Sequence, residues 1–173
     1  RTPITVGDDL VYVCDGTNSL YALKISDGEL VWQNRQNPPK RFSLQGESRP
    51  LIAKDKVIMG YSDGRVIAFN AKRGEALWER DLAPQVKQFE DVDADLTVIG
   101  NTVYAASAAS GLYALNLKDG KIKWFYPIAG VVTMSEFEGD LILGLQHGEL
   151  GRLSVLDRVF TWRVSFGTDG APQ

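Results

Sequence analysis

One cysteine and one histidine stand in 173 residues, and that scarcity removes several chemistries at once. A lone Cys14 excludes an internal disulfide. With only His147 beside it, the chain has too few ligands for a His/Cys zinc site and no basis for histidine-driven nucleophilic catalysis. No apolar run approaches the ~18 residues that a membrane-spanning helix requires. Positive charge is not in excess either. The formal net charge is −3, so nucleic acid would lack the basic face it usually needs. No signal peptide is visible in a chain that opens on Arg1, as expected if a leader has been removed. The single cysteine leaves the compartment open, because exported proteins need not carry disulfides.

What the chain does have is a repeat. Its tryptophans are Trp32, Trp78, Trp124 and Trp162, and each closes a block of the same shape. The blocks are DLVYVCDGTNSLYALKISDGELVW, DKVIMGYSDGRVIAFNAKRGEALW, NTVYAASAASGLYALNLKDGKIKW and GDLILGLQHGELGRLSVLDRVFTW, and they align without a gap. Self-similarity at this period marks a repeat architecture. Each repeat reads as four short strands. A first strand approaches through Pro3–Val6, Pro50–Ala53, Leu96–Ile99 or Met134–Phe137. The second is nearly all apolar: Val11–Val13, Val57–Met59, Val103–Ala105, Leu141–Leu143. Such runs predict strands buried on both faces, as in radially stacked four-stranded blades. The small residues that follow, Cys14, Gly60, Ala106 and Gly144, fit the crowding near a propeller axis, so Cys14 reads as core.

Third strands (Leu20–Leu23, Val66–Phe69, Leu112–Leu115, Leu150–Leu153) lead into Asp27-Gly28, Arg73-Gly74 and Asp119-Gly120. Glycine there admits the positive φ of a tight hairpin. Repeat four has Asp157-Arg158 instead, and Arg152 where its siblings have alanine, so it is expected to be the least regular. The tryptophan, on the outermost strand, is expected to wedge against the next blade. The fold class is therefore all-β: one propeller domain over 1–173, with four-stranded antiparallel blades at about 1–34, 48–80, 94–126 and 132–164.

Two connections between blades are long. Residues 33–47 (QNRQNPPKRFSLQGE) are polar and basic, and residues 79–93 (ERDLAPQVKQFEDVD) end acidic. In an up-and-down meander both emerge on one face, where a rigid scaffold presents its functional loops. Asp91, Asp93 and Asp95 imitate the opening of a calcium loop, but Leu96 stands where the turn glycine belongs and Thr102 where the bidentate glutamate belongs. No metal site follows. His147 falls in a turn slot shared with Thr17, Asp63 and Ala109. No carboxylate pair has a spacing that marks acid–base chemistry.

Ala22-Leu23 with Asp27-Gly28 and Trp32, and Ala114-Leu115 with Asp119-Gly120 and Trp124, resemble the pyrroloquinoline-quinone-type propeller repeat, A-L-(x)n-D/T-G-x-x-x-W. That level names a fold and not an activity. Two segments are more specific. Ser43–Pro50 (SLQGESRP) is similar to the SLRGESAP segment of the BamB family, lipoproteins of the outer-membrane β-barrel assembly machinery. Glu90–Asp95 (EDVDAD) is similar to that family's SDVDTTP segment. The resemblance covers nearly the whole chain.

It implies a scaffold on the periplasmic side of the outer membrane, lipid-anchored in the family, with no catalytic site and no cofactor. The implied partners are the POTRA domains of BamA, and unfolded outer-membrane proteins as clients. By position the contact residues would be Phe42, Leu44 and Gln45 in the first loop and Asp91 and Asp93 in the second. Phe42 replaces a leucine. Gln45 replaces an arginine, which loses a charge and a bidentate donor. The family propeller has eight blades, so four repeats could close alone as a small ring, be half of a longer propeller, or pair with a second copy; of these, a homodimer completing the ring is the expected assembly. Two alternatives differ in what they require. A fragment of a quinone-dependent dehydrogenase would usually carry a vicinal disulfide, which one cysteine cannot make. A ligand-sensing propeller would need a small-molecule pocket at the axis.

Overall fold

The computed structural model describes residues 4–15, 17–36, 48–61, 63–82, 96–107, 111–146 and 148–166. Within them the chain is all-β, in four four-stranded sheets whose strands follow sequence order. Blade 1 comprises β1 (Ile4–Val6), β2 (Leu10–Asp15), β3 (Ser19–Lys24) and β4 (Leu30–Arg35). Blade 2 comprises β5 (Leu51–Ala53), β6 (Lys56–Gly60), β7 (Arg65–Asn70) and β8 (Ala76–Asp81). Blade 3 has β9 (Thr97–Ile99), β10 (Thr102–Ser107), β11 (Gly111–Asn116) and β12 (Ile122–Tyr126). Blade 4 has β13 (Val131–Phe137), β14 (Asp140–Leu145), β15 (Glu149–Ser154) and β16 (Val159–Ser165). All pairings are antiparallel.

The apolar second strands sort their side chains between two neighbours, because successive residues point to opposite faces. In β6, Val57 and Met59 join Tyr12, Cys14, Leu20, Ala22 and Trp32 of blade 1. Ile58 between them joins Val103, Ala105 and Leu115 of blade 3. The third core seats Ala106, Leu112 and Ala114 of blade 3 against Met134, Leu141, Leu143 and Leu153 of blade 4. Among the described residues there are three such interfaces, and none joins blade 4 to blade 1. The four blades thus form an open arc.

The end blades depart from the expectation of burial on both faces. Val11 and Val13 are only half-buried, and their cross-strand partners Val6 and Ile4 are 64% and 56% exposed. On blade 4, Ile142 is half-buried and Phe137 is exposed. Two-sided apolarity anticipates neighbours on both sides, and each end blade has only one.

One device joins blades 1 to 2 and 2 to 3. Trp32 Nε1 donates to the Ala71 carbonyl at 2.9 Å, and Trp78 Nε1 to the Leu117 carbonyl at 3.1 Å. Each ring lies over the turn glycine three residues further on. A Cβ on Gly74 would stand 2.5 Å from the Trp32 ring, and one on Gly120 would stand 2.5 Å from Trp78. These glycines also take positive φ, 71° and 67°, like Gly28 at 76°. Glycine is therefore needed for conformation and for clearance.

Repeat four keeps the pattern better than its sequence suggests. Arg158 takes the left-handed conformation in place of glycine, at φ 59°, and its guanidinium lies 5.8 Å from the centre of the Trp124 ring. The register shift between third and fourth strands recurs in all four blades, at Ala22/Leu23, Ala68/Phe69, Ala114/Leu115 and Arg152/Leu153. This bulge was not foreseen, since nothing in composition marks it.

Gly120→Ala and Gly139→Ala separate clearance from conformation. Both positions have positive φ, but an added methyl at Gly139 meets nothing within 4 Å. Urea unfolding should show a loss of about 1 kcal/mol for Gly139→Ala and a further ~2 kcal/mol for Gly120→Ala.

Candidate protein-binding face

Because each blade is a meander, the end of its fourth strand lies beside the turn between its second and third strands. The exit of each long connection is tied to that turn. Gln36 N donates to Asn18 O at 3.1 Å, and Leu82 N to Gly64 O at 3.0 Å. Phe166 N repeats the bond to Gly148 O at 2.8 Å. Gln36 and Leu82 therefore lie at the same edge of neighbouring blades, each just before an undescribed segment, 37–47 and 83–95. Phe42, Leu44, Gln45, Asp91 and Asp93 fall within them and lie outside the described residues, as do Asp95 and His147.

The blade that follows adds a second tie to each exit. Arg65 at the start of β7 reaches back to Gln36 Oε1 at 3.4 Å while it pairs with Asp63 at 2.7 Å and Glu79 at 3.1 Å. The hydrogen bond it donates to the Asp63 carboxylate is the main reason its guanidinium is held still more firmly in the charged form. Tyr113 of β11 donates its hydroxyl to the Leu82 carbonyl at 2.6 Å. Both stems are thus braced across a blade boundary.

Ser48, inside the SLQGESRP segment, is buried and structural. Its hydroxyl donates to Gly60 O at 3.1 Å and accepts from Gly60 N at 2.8 Å. It fastens the returning first connection to the end of β6. On blade 1 the same face carries Asp15, whose carboxylate organises the β2–β3 turn. Oδ1 accepts from Thr17 N, Thr17 Oγ1 and Ser19 N at 2.9, 2.7 and 3.1 Å. Oδ2 accepts from the Tyr21 hydroxyl at 2.9 Å. Partial burial pushes this carboxyl up, but the donated hydrogen bonds, led by Thr17, outweigh it and hold it below the ordinary carboxylate value.

Sequence reasoning missed these ties. The spacing Asp15-x-Thr17-x-Ser19 could have revealed the Asp15 turn, since short polar side chains capping nearby N–H groups are a turn signature. Arg65 carried only a weak signal, a long cation in a slot held by Ser19, Gly111 and Glu149 in the sibling repeats. Cys14 is buried in the core between blades 1 and 2. Among the described residues, no three His, Cys, Asp or Glu side chains converge as a metal site would require.

The sequence model of one family, described as outer membrane protein assembly factor BamB, matches residues 1–164. This chain belongs to the BamB family. It is 32% identical over 165 residues to outer membrane protein assembly factor BamB of Yersinia pestis, covering 92% of this chain and 42% of that protein. The chain spans less than half the length of the curated relatives it matches first. The crystal structure of BamB from Moraxella catarrhalis superposes with a TM-score of 0.78 at 23% identity, covering 93% of this chain and 50% of that one. The quinohemoprotein alcohol dehydrogenase ADHIIG of Pseudomonas putida HK5 superposes at 0.75 with 18% identity, over 94% of this chain and 33% of that one. At such identities the likeness concerns the fold alone.

Two variants test the framing of this face. Ser48→Ala should cost about 1–3 kcal/mol in urea unfolding, because it leaves the buried N–H of Gly60 without its acceptor. A carboxyl held below its ordinary value stabilises the fold above that value, and the contribution is lost as pH falls through the folded pKa. Thermal unfolding should therefore show wild type above Asp15→Asn at pH 7, with the gap narrowing as the pH drops below about 4.

Proposed function

We propose that this chain is a non-enzymatic scaffold that binds other proteins during assembly of outer-membrane proteins, on the periplasmic side of the outer membrane. The family match across residues 1–164 carries this reading. It is supported by two long neighbouring connections whose exits are braced on one face. A rigid frame lowers the entropy that loops lose on docking, which favours binding.

By the family resemblance the partner is the POTRA region of BamA, with unfolded outer-membrane proteins as a second class of ligand. Phe42 and Leu44 act as apolar anchors, Gln45 as a polar contact, and Asp91 and Asp93 orient a basic strand or loop. We propose as well that two copies of the chain associate through the open flanks of blades 1 and 4.

Calorimetry with purified POTRA domains tests the loop reading. Leu44→Asp and Asp93→Lys should each weaken binding by at least ~30-fold, with the melting temperature unmoved. Unchanged affinity in both would overturn the role of the loops, and no binding by wild type would overturn the partner.

A further inference from the structure

The edge opposite the long connections is built from the β1–β2 and β3–β4 turns and their equivalents in the other blades. Every one of these turns lies within the described residues. Charge is spread unevenly along this edge. On blades 2 and 3 the turns carry three local ion pairs, Lys56 with Asp55, Arg73 with Glu75 and Lys121 with Asp119. Lys54, Lys72, Lys118 and Lys123 are left over. All four are exposed, and among the described residues none of them forms a salt bridge. On blade 1 the imbalance is reversed, with Asp8, Asp9 and Asp27 exposed and outside any salt bridge. On blade 4 a single Arg152 is shared by Asp140 and Glu138. A cationic strip over the inner blades thus sits between acidic ends, in a chain whose net charge is −3.

Two of the four ammonium groups are already held at the boundary between blades 2 and 3. Lys54, in the β5–β6 turn, donates to Asn101 Oδ1 at 2.6 Å. Lys123 of β12 donates to Thr102 Oγ1 at 2.6 Å and to the Asn101 carbonyl at 3.4 Å. These acceptors are uncharged, so both positive charges remain uncompensated, and each ammonium has a third donor or more to offer. Lys72 and Lys118 occupy the same slot of the β7–β8 and β11–β12 turns, where Asn70 and Asn116 accept from their backbone N–H groups. Exposure here owes nothing to an open flank, because blades 2 and 3 each have a neighbour on both sides within this chain.

We propose that the turn edge of blades 2 and 3 docks an acidic segment of another protein, whose aspartate or glutamate carboxylates take Lys54, Lys72, Lys118 and Lys123 as counter-charges. The side chains of Lys54 and Lys123 are already ordered by their bonds to blade 3, which reduces what docking must immobilise. The acidic ends favour a chain segment over an anionic bilayer. A bilayer would bring its phosphates against the carboxylates of blades 1 and 4 as well, whereas a segment can be confined to the strip and registered by repulsion from its two ends. The proposal uses none of the residues of the loop reading, so either can fail without the other.

Fluorescence anisotropy on the 173-residue chain tests this, with a labelled peptide of alternating glutamate and serine as the probe. The measurement is made at about 0.01 M salt, where charges act over ~30 Å. Wild type should bind saturably, and Lys54→Gln with Lys123→Gln should weaken binding by at least ~5-fold. Lys72→Glu with Lys118→Glu should weaken it further, since reversal adds repulsion. Lys24→Gln on blade 1 should leave it unchanged, and all variants should keep the wild-type melting temperature. No saturable binding by wild type would overturn the proposal, as would equal losses in the Lys24 variant and the inner-blade variants. Tighter binding to vesicles of phosphatidylglycerol and phosphatidylethanolamine, lost in the same inner-blade variants, would overturn the choice of partner.

Discussion

Burial of apolar side chains between stacked sheets is the constraint from which the rest of this molecule follows. A four-stranded blade this small has no interior of its own, and its core exists only where two blades meet. Tryptophan makes the largest single contribution, since an indole removes roughly 200 Å² from water, on the order of 5 kcal/mol at the usual coefficient. Its polar nitrogen would be a liability in that position without an acceptor. The carbonyls of Ala71 and Leu117 supply one for Trp32 and Trp78. The turn that presents each carbonyl also presents the glycine that leaves room for the ring. Strand, turn and interface are therefore specified together.

That rigidity is what the connecting face uses. Exits at Gln36 and Leu82 are tied to turns of their own blades and braced by Arg65 and Tyr113 of the blades that follow. Ser48 anchors the return of the first connection. These ties come from residues outside 37–47 and 83–95, and they fix where the two long connections leave their blades.

Much of the architecture was legible in the chain because a repeat states the same physical problem four times. The tryptophan spacing, the apolar second strands and the turn glycines are each understandable alone, and their coincidence at fixed offsets left little freedom. Less was legible where one repeat departs from its siblings. Arg158 was expected to disturb blade 4, yet a left-handed arginine replaces the glycine and covers Trp124 with its guanidinium. The bulge in every outer pairing left no trace in sequence, because it depends on strand twist rather than residue type. The framing ties were likewise hidden. Arg65 and Gln36 are 29 positions apart, and Tyr113 and Leu82 are 31 apart, so no local pattern links them.

The amino-acid sequence by itself determined the blades: which residues form strands, where they turn, and which side chains must be covered. Those outcomes depend on period-two patterning and on glycine geometry, both of which act over a few residues. Only the tertiary structure decided which of those side chains have been covered. The same apolar alternation that buries Val57 and Ile58 leaves Val11 and Val13 half-open, since strand pattern cannot count how many neighbours a blade will find.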